Sequence, residues 1–442
     1  MGSAAILPME CAVAQNFDQA TTAVPDQATR SQIFAIHAQA TLVDQGNLAF
    51  RSPYLGANSL SPKAKWRETF DATLYLGVKP WRGLELWINP EIDEGFGLQN
   101  TLGVAGFPSG EAYKVGRVAP YFRLQRIFLR QTVDLPGVSE KVDADLNQLA
   151  GSRSENRLVF TVGKFSVADV FDTNTYANGP RTDFLNWTVI NTGTFDYAAD
   201  SWGYTAGASL EWYEGRWTAR GGAFLLSDIP NDVNIDTRFS QFELIAELEE
   251  RHSLFGQPGK LKVTGYLNRG EMARLNDAVA LARVTGGIPN PAAVRHYRGR
   301  PGVSLNVEQQ VADGVGAFLR AGYADGTYEA YEFTDVDRTV SGGVTVGGKG
   351  WRRPDDRVGL AGVVNQASSD RLAFLAAGGL GILIGDGRLP HPGTERIFET
   401  YYDAEILKGV HAALDYQWVT NPAYNRDRGP ISIFALRLHG QF

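Results

Sequence analysis

Residues 66–79 read WRETFDATLYLGVK, and apolar and polar side chains alternate along most of this stretch. The apolar side chains occupy even positions: Trp66, Phe70, Ala72, Leu74, Leu76 and Val78. Successive side chains of a β-strand point to opposite faces, so this alternation predicts a strand with one apolar and one polar face. A Pro-Trp-Arg-Gly turn at 80–83 leads into a second alternating run, and the two runs together predict a hairpin.

The same alternation recurs along the chain and predicts sixteen strands, an even number that places both termini on one side. They cover 33–43, 66–79, 84–93, 121–133, 156–165, 201–213, 216–225, 239–249, 260–268, 302–310, 315–323, 338–348, 357–365, 395–407, 410–420 and 431–442. We therefore predict an all-β fold, a 16-stranded antiparallel transmembrane β-barrel over 33–442.

The connections between these strands alternate in length. Long ones at 44–65, 94–120, 166–200, 227–238, 269–301, 324–337, 366–394 and 421–430 interleave with short ones at 80–83, 214–215, 250–259, 311–314, 349–356 and 408–409. Short periplasmic turns and long extracellular loops are typical of outer-membrane barrels, whereas a soluble β-sandwich would not need this alternation. The long connection 134–155 falls among the short turns, and we expect it to carry a small periplasmic element.

Composition agrees with a barrel and argues against other membrane classes. A membrane-spanning helix needs about 20 apolar residues in a row, and the longest such run after the first residues, 372–385, has 14.

Trp202 and Trp212 are predicted to lie ten residues apart on one strand face, about 25 Å of height at a 40° tilt, as two aromatic girdles would. The net charge of −7 contains no block of like charges, so nucleic acid is not expected as a partner.

Residues 1–14 are interpreted as a complete or truncated secretory signal peptide, because an apolar stretch ends in Ala12-Val13-Ala14. We expect the mature protein to begin near Gln15 and 15–32 to form a periplasmic N-terminal segment. Cys11 is the only cysteine, and lipidation there is the rival use of this residue. A mature chain without cysteine suits an oxidising compartment.

The C-terminal sequence carries a family resemblance. The last strand alternates Phe434, Leu436, Leu438 with polar neighbours and ends at Phe442, as outer-membrane barrels do. The segments DYQWVTNPAYNRDRGP (415–430), DFLNW (183–187) and FDYAADSWG (195–203) resemble the carbohydrate-selective porin family known as OprB. The resemblance implies a 16-stranded barrel in the outer membrane of a Gram-negative bacterium, through which sugars diffuse inward.

If the apolar faces meet lipid, the opposite faces line a water-filled lumen of mixed charge. The side chains predicted to line the pore or to bind substrate are Arg67, Asp71, Glu85, Asn89, Glu91, Lys164, Asp172, Asn174, Arg181, Asp183, Trp187, Arg220, Glu243, Glu247, Arg320, Glu399, Asp415 and Arg437. Each of these charges could instead pair with another inside the barrel. The connection 166–200 is the candidate constriction loop, on the resemblance more than on its composition, and a lid or surface loop is the alternative.

Nothing in the sequence indicates an active site. None of the six His has a metal-ligand spacing to another His, and G-x-S-x-G and phosphate-binding loops are absent. We predict a passive porin without cofactor or metal, working as a monomer or homotrimer, with sugars as permeants and with outer-membrane lipid and the barrel assembly machinery as partners. The rival functions are a general-diffusion porin for small polar solutes, an outer-membrane barrel enzyme and a soluble sugar-binding β protein.

Overall fold

The computed structural model describes residues 31–112 and 116–442, which contain a closed antiparallel barrel. The strands are β1 (Phe34–Asn47), β2 (Lys65–Trp81), β3 (Leu84–Gly95), β4 (Arg117–Asp134), β5 (Ser139–Val142), β6 (Gly151–Ser154), β7 (Arg157–Phe165), β8 (Thr205–Glu214), β9 (Trp217–Leu225), β10 (Phe242–Leu254), β11 (Gln257–Ala273), β12 (Arg295–Ala312), β13 (Val315–Ala324), β14 (Arg338–Gly347), β15 (Arg357–Gln366), β16 (Glu395–Leu407), β17 (Val410–Thr420) and β18 (Ile431–Gln441). Within the described ranges, β5 and β6 pair only with each other, and the remaining sixteen strands form the barrel. This confirms the predicted fold class and strand number.

The barrel closes where its first and last strands pair. Thr41 of β1 lies opposite His439 of β18, and the hydroxyl and Nδ1 of this pair are 3.0 Å apart. On its other side Thr41 lies opposite Asp71 of β2. The alternating C-terminal run therefore is the closing strand.

Alternation along the strands sorts side chains between the outer surface and the interior. On β2 the even-numbered Leu74 and Val78 are exposed, whereas the odd-numbered Asp71, Thr73 and Tyr75 are buried. Trp212 is exposed on the outer surface, but Trp202 precedes β8 and is buried, with its indole N–H donating to the Tyr121 hydroxyl at 2.8 Å. The predicted pairing of these two tryptophans as girdle markers on one strand is therefore wrong.

The connections also differ from prediction in detail. The turn expected at 250–259 shrinks to Phe255 and Gly256, because β10 and β11 pair up to Leu254 and Gln257. Gly256 has a φ of 76°, a conformation that costs glycine little and other residues more. The connection 134–155 contains the β5–β6 hairpin, whose placement in the periplasm stays a prediction. The predicted signal peptide lies outside the described residues.

Helical segments are short and lie in the connections. They are the α-helices α1 (Trp187–Ile190), α2 (Leu275–Thr285) and α3 (Ser369–Ala376), and the 3₁₀ turns Leu98–Thr101, Val167–Asp169, Pro291–Val294, Gly348–Trp351 and Pro422–Tyr424. No helix in the described part of the chain has the length and apolar character needed to cross a bilayer.

Candidate functional site: two loops folded into the barrel

Two of the long connections fold into the barrel instead of lying over its rim. We call 96–112 the first inner loop and 166–200 the second inner loop. Most of the first inner loop and all of 183–200 in the second are buried although they are not part of any sheet. A buried loop must find partners for its backbone N–H and C=O groups, and here side chains on the inner face of the barrel provide them.

Strands on both sides of the closing seam of the barrel hold the first inner loop. The Glu395 carboxylate of β16 accepts the N–H groups of Ala105 at 2.9 Å and Gly106 at 2.7 Å. The Pro108 carbonyl accepts amide hydrogens from Gln45 of β1 at 3.0 Å and from Gln417 of β17 at 2.7 Å. The loop therefore lies against the wall where the barrel closes.

The second inner loop is anchored along β10 to β18. Glu399 of β16 accepts the Leu185 N–H at 2.5 Å, and Arg320 of β13 donates to the Val189 carbonyl at 2.5 Å. Further anchors are Glu247 to the N–H of Asp172 at 2.8 Å, Glu308 to the N–H of Thr175 at 2.7 Å, Glu243 to the N–H of Ala198 at 2.9 Å and Arg437 to the carbonyl of Asp183 at 2.6 Å. Charged wall residues thus meet the polar backbone of the loop.

The two inner loops also bind each other. The Trp187 indole stacks on the Phe107 ring at a centroid distance of 5.0 Å, and the backbone N–H of Trp187 donates to the Phe107 carbonyl at 3.1 Å. The Gly110 N–H donates to the Leu185 carbonyl at 2.7 Å. A Cβ on Gly106 would approach the Thr188 hydroxyl to 2.6 Å, so glycine allows the loops to lie this close.

Arginines on β4 form a partly exposed basic row on the inner wall. Arg126 makes a bidentate pair with Asp169 of the second inner loop, at 2.8 and 2.7 Å. Arg123 pairs with Asp200 at 2.9 Å and Arg130 with Glu85 at 3.5 Å. The side chains of Arg123 and Arg130 keep 23% and 31% of their surface exposed, so they can meet a solute.

Sequence reasoning missed this row because a β-bulge breaks the alternation of β4. Asn89 pairs with Arg126 and Pro90 with Leu124, which leaves Gln125 as an extra residue. Pro90 has no N–H to give to the ladder, and bulges are where strands accommodate proline. The spacing of Arg123, Arg126 and Arg130, three and then four residues, is the signal that could have revealed it.

Arg181 of the second inner loop pairs with a cluster of three carboxylates. Its guanidinium lies 2.9 Å from Asp71, 3.3 Å from Glu91 and 3.2 Å from Glu111. Burial opposes the positive charge of Arg181, but these three carboxylates outweigh burial and raise the pKa of its guanidinium. Arg181 therefore stays charged and ties the loop to β2 and β3.

Most of the residues predicted to line the pore lie inside the barrel but are buried. The buried ones are Asp71, Asn89, Glu91, Asp172, Asn174, Asp183, Trp187, Arg220, Glu243, Glu247, Arg320, Glu399, Asp415 and Arg437, while Glu85 and Arg181 are partly exposed. Many of these side chains bind a loop or pair with one another. The alternative of charges paired inside the barrel therefore describes them better than an open pore lining does. Within the described residues, the amide atoms of Asn89 have no hydrogen-bond partner.

Two predicted residues are placed differently. Lys164 pairs with Ile127, which is exposed on the outer surface, so its backbone position has outward parity, against the alternation expected for an inward residue. Its ammonium turns to Asp200 at 3.4 Å. Arg67 has the inward parity of β2 but is exposed near the start of that strand.

Comparison with known proteins identifies a matching family and solved structures of similar fold. The sequence pattern of the family described as "Carbohydrate-selective porin, OprB family" matches residues 57–442. The high-pH structure of Pseudomonas putida OprB superposes with a TM-score of 0.70 at 15% identity, covering 93% of this chain and 94% of that one. The low-pH structure of the same protein gives 0.51 at 12% identity, covering 93% of each chain. No curated protein sequence matches this chain.

Proposed function

This chain belongs to the carbohydrate-selective porin family OprB, and from that premise we propose that it lets small neutral sugars diffuse passively across the outer membrane of a Gram-negative bacterium. The observation that carries the proposal is the partly exposed row of arginines on β4, with carboxylates beside each of them. The two inner loops narrow the lumen next to this row.

Sugar hydroxyls both donate and accept hydrogen bonds, so guanidinium donors and carboxylate acceptors on one wall can each bind them. Arg126 of β4 and Asp169 of the second inner loop provide one such pair, and Arg130 and Glu85 provide a second one on the wall. A solute with a net charge would meet groups of its own sign in the same passage, which favours neutral permeants. No covalent chemistry is needed for this function.

The test is uptake by proteoliposomes that contain the refolded full-length protein. Swelling rates are measured in isotonic solutions of neutral monosaccharides, neutral disaccharides, and monosaccharide acids and amines. They distinguish selection by solute size from selection by solute charge. We expect the neutral monosaccharides to enter fastest and both charged classes to enter several-fold more slowly. A ranking by size alone, with charged and neutral solutes of equal mass entering alike, would identify a general-diffusion porin instead.

A matched pair of variants links uptake to the proposed wall. Arg126→Ala removes the bidentate pair with Asp169, so it should change single-channel conductance and the ratio of charged to neutral uptake. Arg216→Ala is the control, because Arg216 is exposed beside the short turn after β8 and lies 3.7 Å from Glu250. Unchanged transport in Arg126→Ala would contradict the assignment of this wall, and sugar hydrolysis by the purified protein would contradict the passive channel.

A further inference from the structure

The outer surface of the barrel has an apolar trough near the long-loop end of β11 to β15. Its volume is about 560 Å³, and its apolar walls are Val263, Val303, Leu305, Val340 and Val364. Ala321 lies between Leu305 and Val340 in the register and forms the floor. The trough exists because alanine stands where its neighbours on both strands carry branched side chains.

Polar residues close the trough toward the rim. In the next row of the register, Tyr323 lies opposite Arg338, and Arg338 lies opposite Gln366. All three line the trough, and Arg338 is the first residue of β14 after a long connection. An apolar wall is therefore followed toward the rim by a row that combines an aromatic and a cationic side chain, as in the interfacial zone of a membrane protein.

A second arginine lies on the same outer surface nearby. Arg396 of β16 pairs with Val364, which lines the trough, and its side chain is exposed. In residues 31–112 and 116–442, neither Arg338 nor Arg396 forms an ion pair or a side-chain hydrogen bond. Three basic residues of the opposite rim do form ion pairs, Lys349 with Asp313 at 3.0 Å, Arg353 with Asp356 at 2.5 Å and Arg82 with Asp134 at 3.2 Å.

We propose that this trough is a binding site for a phosphate-bearing lipid of the membrane leaflet at the long-loop rim. One acyl chain lies over Ala321, and the phosphate lies between Arg338 and Arg396. The planar guanidinium fork matches a phosphate and binds it with charge-assisted hydrogen bonds. Arginines next to the apolar zone bring anionic head groups to this position.

A second copy of the barrel fits the surface less well. A two-fold contact would place each patch against its own copy. Arg338 and Arg396 would then face the same two cations of the other copy, and like charges repel. The unpaired charge therefore favours an anionic lipid over a two-fold dimer as the occupant.

The site can be tested by counting bound lipids on the refolded full-length barrel with native mass spectrometry. Phosphatidic acid and phosphatidylcholine with the same acyl chains are titrated separately in a neutral detergent, with inorganic phosphate as a third arm. We expect one phosphatidic acid to bind at least about tenfold more tightly than phosphatidylcholine, a difference of about 1.4 kcal/mol. Millimolar inorganic phosphate should not displace it, because phosphate lacks the acyl chain.

Three variants separate the contribution of the lipid head group to binding from that of the acyl chain. Arg338→Ala should abolish the preference for phosphatidic acid, and Ala321→Leu should fill the trough and weaken both lipids while leaving both arginines in place. Arg216→Ala, on the opposite rim, should bind as the parent does. A retained preference for phosphatidic acid in Arg338→Ala would overturn the proposal, and so would unchanged affinity for both lipids in Ala321→Leu. Complete competition by inorganic phosphate, or a lipid-independent dimer that buries the trough, would overturn it as well. The heat-dependent shift of a folded barrel on a gel verifies folding of each variant.

Discussion

Arg220 of β9 and Glu247 of β10 form an ion pair with an N–O distance of 2.8 Å. The other carboxylate oxygen of Glu247 accepts the backbone N–H of Asp172 in the second inner loop, also at 2.8 Å. Arg220 is 9% exposed and lies near Glu211 and Glu249 as well. Arg220 is therefore a buried member of a carboxylate network and not a water-exposed charge of the lumen.

Arg220→Ala should destabilise the protein and loosen the second inner loop. Removing one partner of a buried ion pair leaves uncompensated charge and costs roughly 3–5 kcal/mol. Denaturant unfolding of the refolded barrel measures the loss, and planar-bilayer recording should show larger and noisier conductance. Arg251→Ala is the comparison, since Arg251 lies 3.0 Å from Glu249 but is more exposed. Equal stability of parent and Arg220→Ala would contradict the network.

Glu399→Ala and Glu395→Ala should each release one inner loop. Glu399 holds the N–H groups of Leu185 and Asn186, and Glu395 holds those of Ala105 and Gly106. Each buried N–H left without a partner costs about 1–3 kcal/mol. We expect higher conductance and entry of disaccharides in either variant, measured by bilayer recording and liposome swelling.

Trp187 and Phe107 join the two inner loops. The change in conductance of the double variant Glu395→Ala/Glu399→Ala should therefore differ from the sum of the changes in the two single variants. Glu399→Gln keeps one acceptor oxygen and should retain more of the parent's selectivity. Additive effects and unchanged disaccharide exclusion would show that neither loop controls the opening.

Leu436→Arg tests the assignment of the outer surface. Leu436 is exposed on β18, midway between the ends of that strand, so an arginine there should cost roughly 2–4 kcal/mol and impair assembly. Val118→Arg is the matched control, because Val118 lies near the long-loop end of β4 and an arginine near the interface costs about 0–1 kcal/mol. Folded yield in vesicles measures both, and equal yields would place the lipid boundary elsewhere.

Single cysteines test which rim faces outward, in a parent with Cys11 replaced by Ser. Asn290→Cys in the connection after β11 should react with an impermeant reagent on intact cells, and Asp355→Cys in the short connection after β14 should not. Asp386, although in a long connection, is unsuitable because it is buried and pairs with Arg428. Arg388→Cys replaces it, since Arg388 is exposed. The reverse pattern would invert the topology.

The sequence by itself determined the barrel. Period-two alternation depends only on the geometry of a strand, and it located sixteen strands and separated Leu74 from Thr73 without knowledge of their partners. Alternation in connection length predicted the two rims for the same reason, since it is a property of neighbours along the chain. The motif at 415–430 indicated the family that the pattern match over 57–442 then established.

Only the tertiary structure decided what the interior side chains do. Alternation predicts that Glu399 and Arg320 point inward, but not that each meets a backbone group of a loop more than a hundred residues away. The bulge at Gln125, which turns Arg126 inward, is set by pairing between β3 and β4, so the arginine spacing in β4 could suggest it but not locate it. Whether an inward charge faces water or holds a loop depends on long-range contacts, because the energy of a charge depends on the groups around it and not on its place in the sequence.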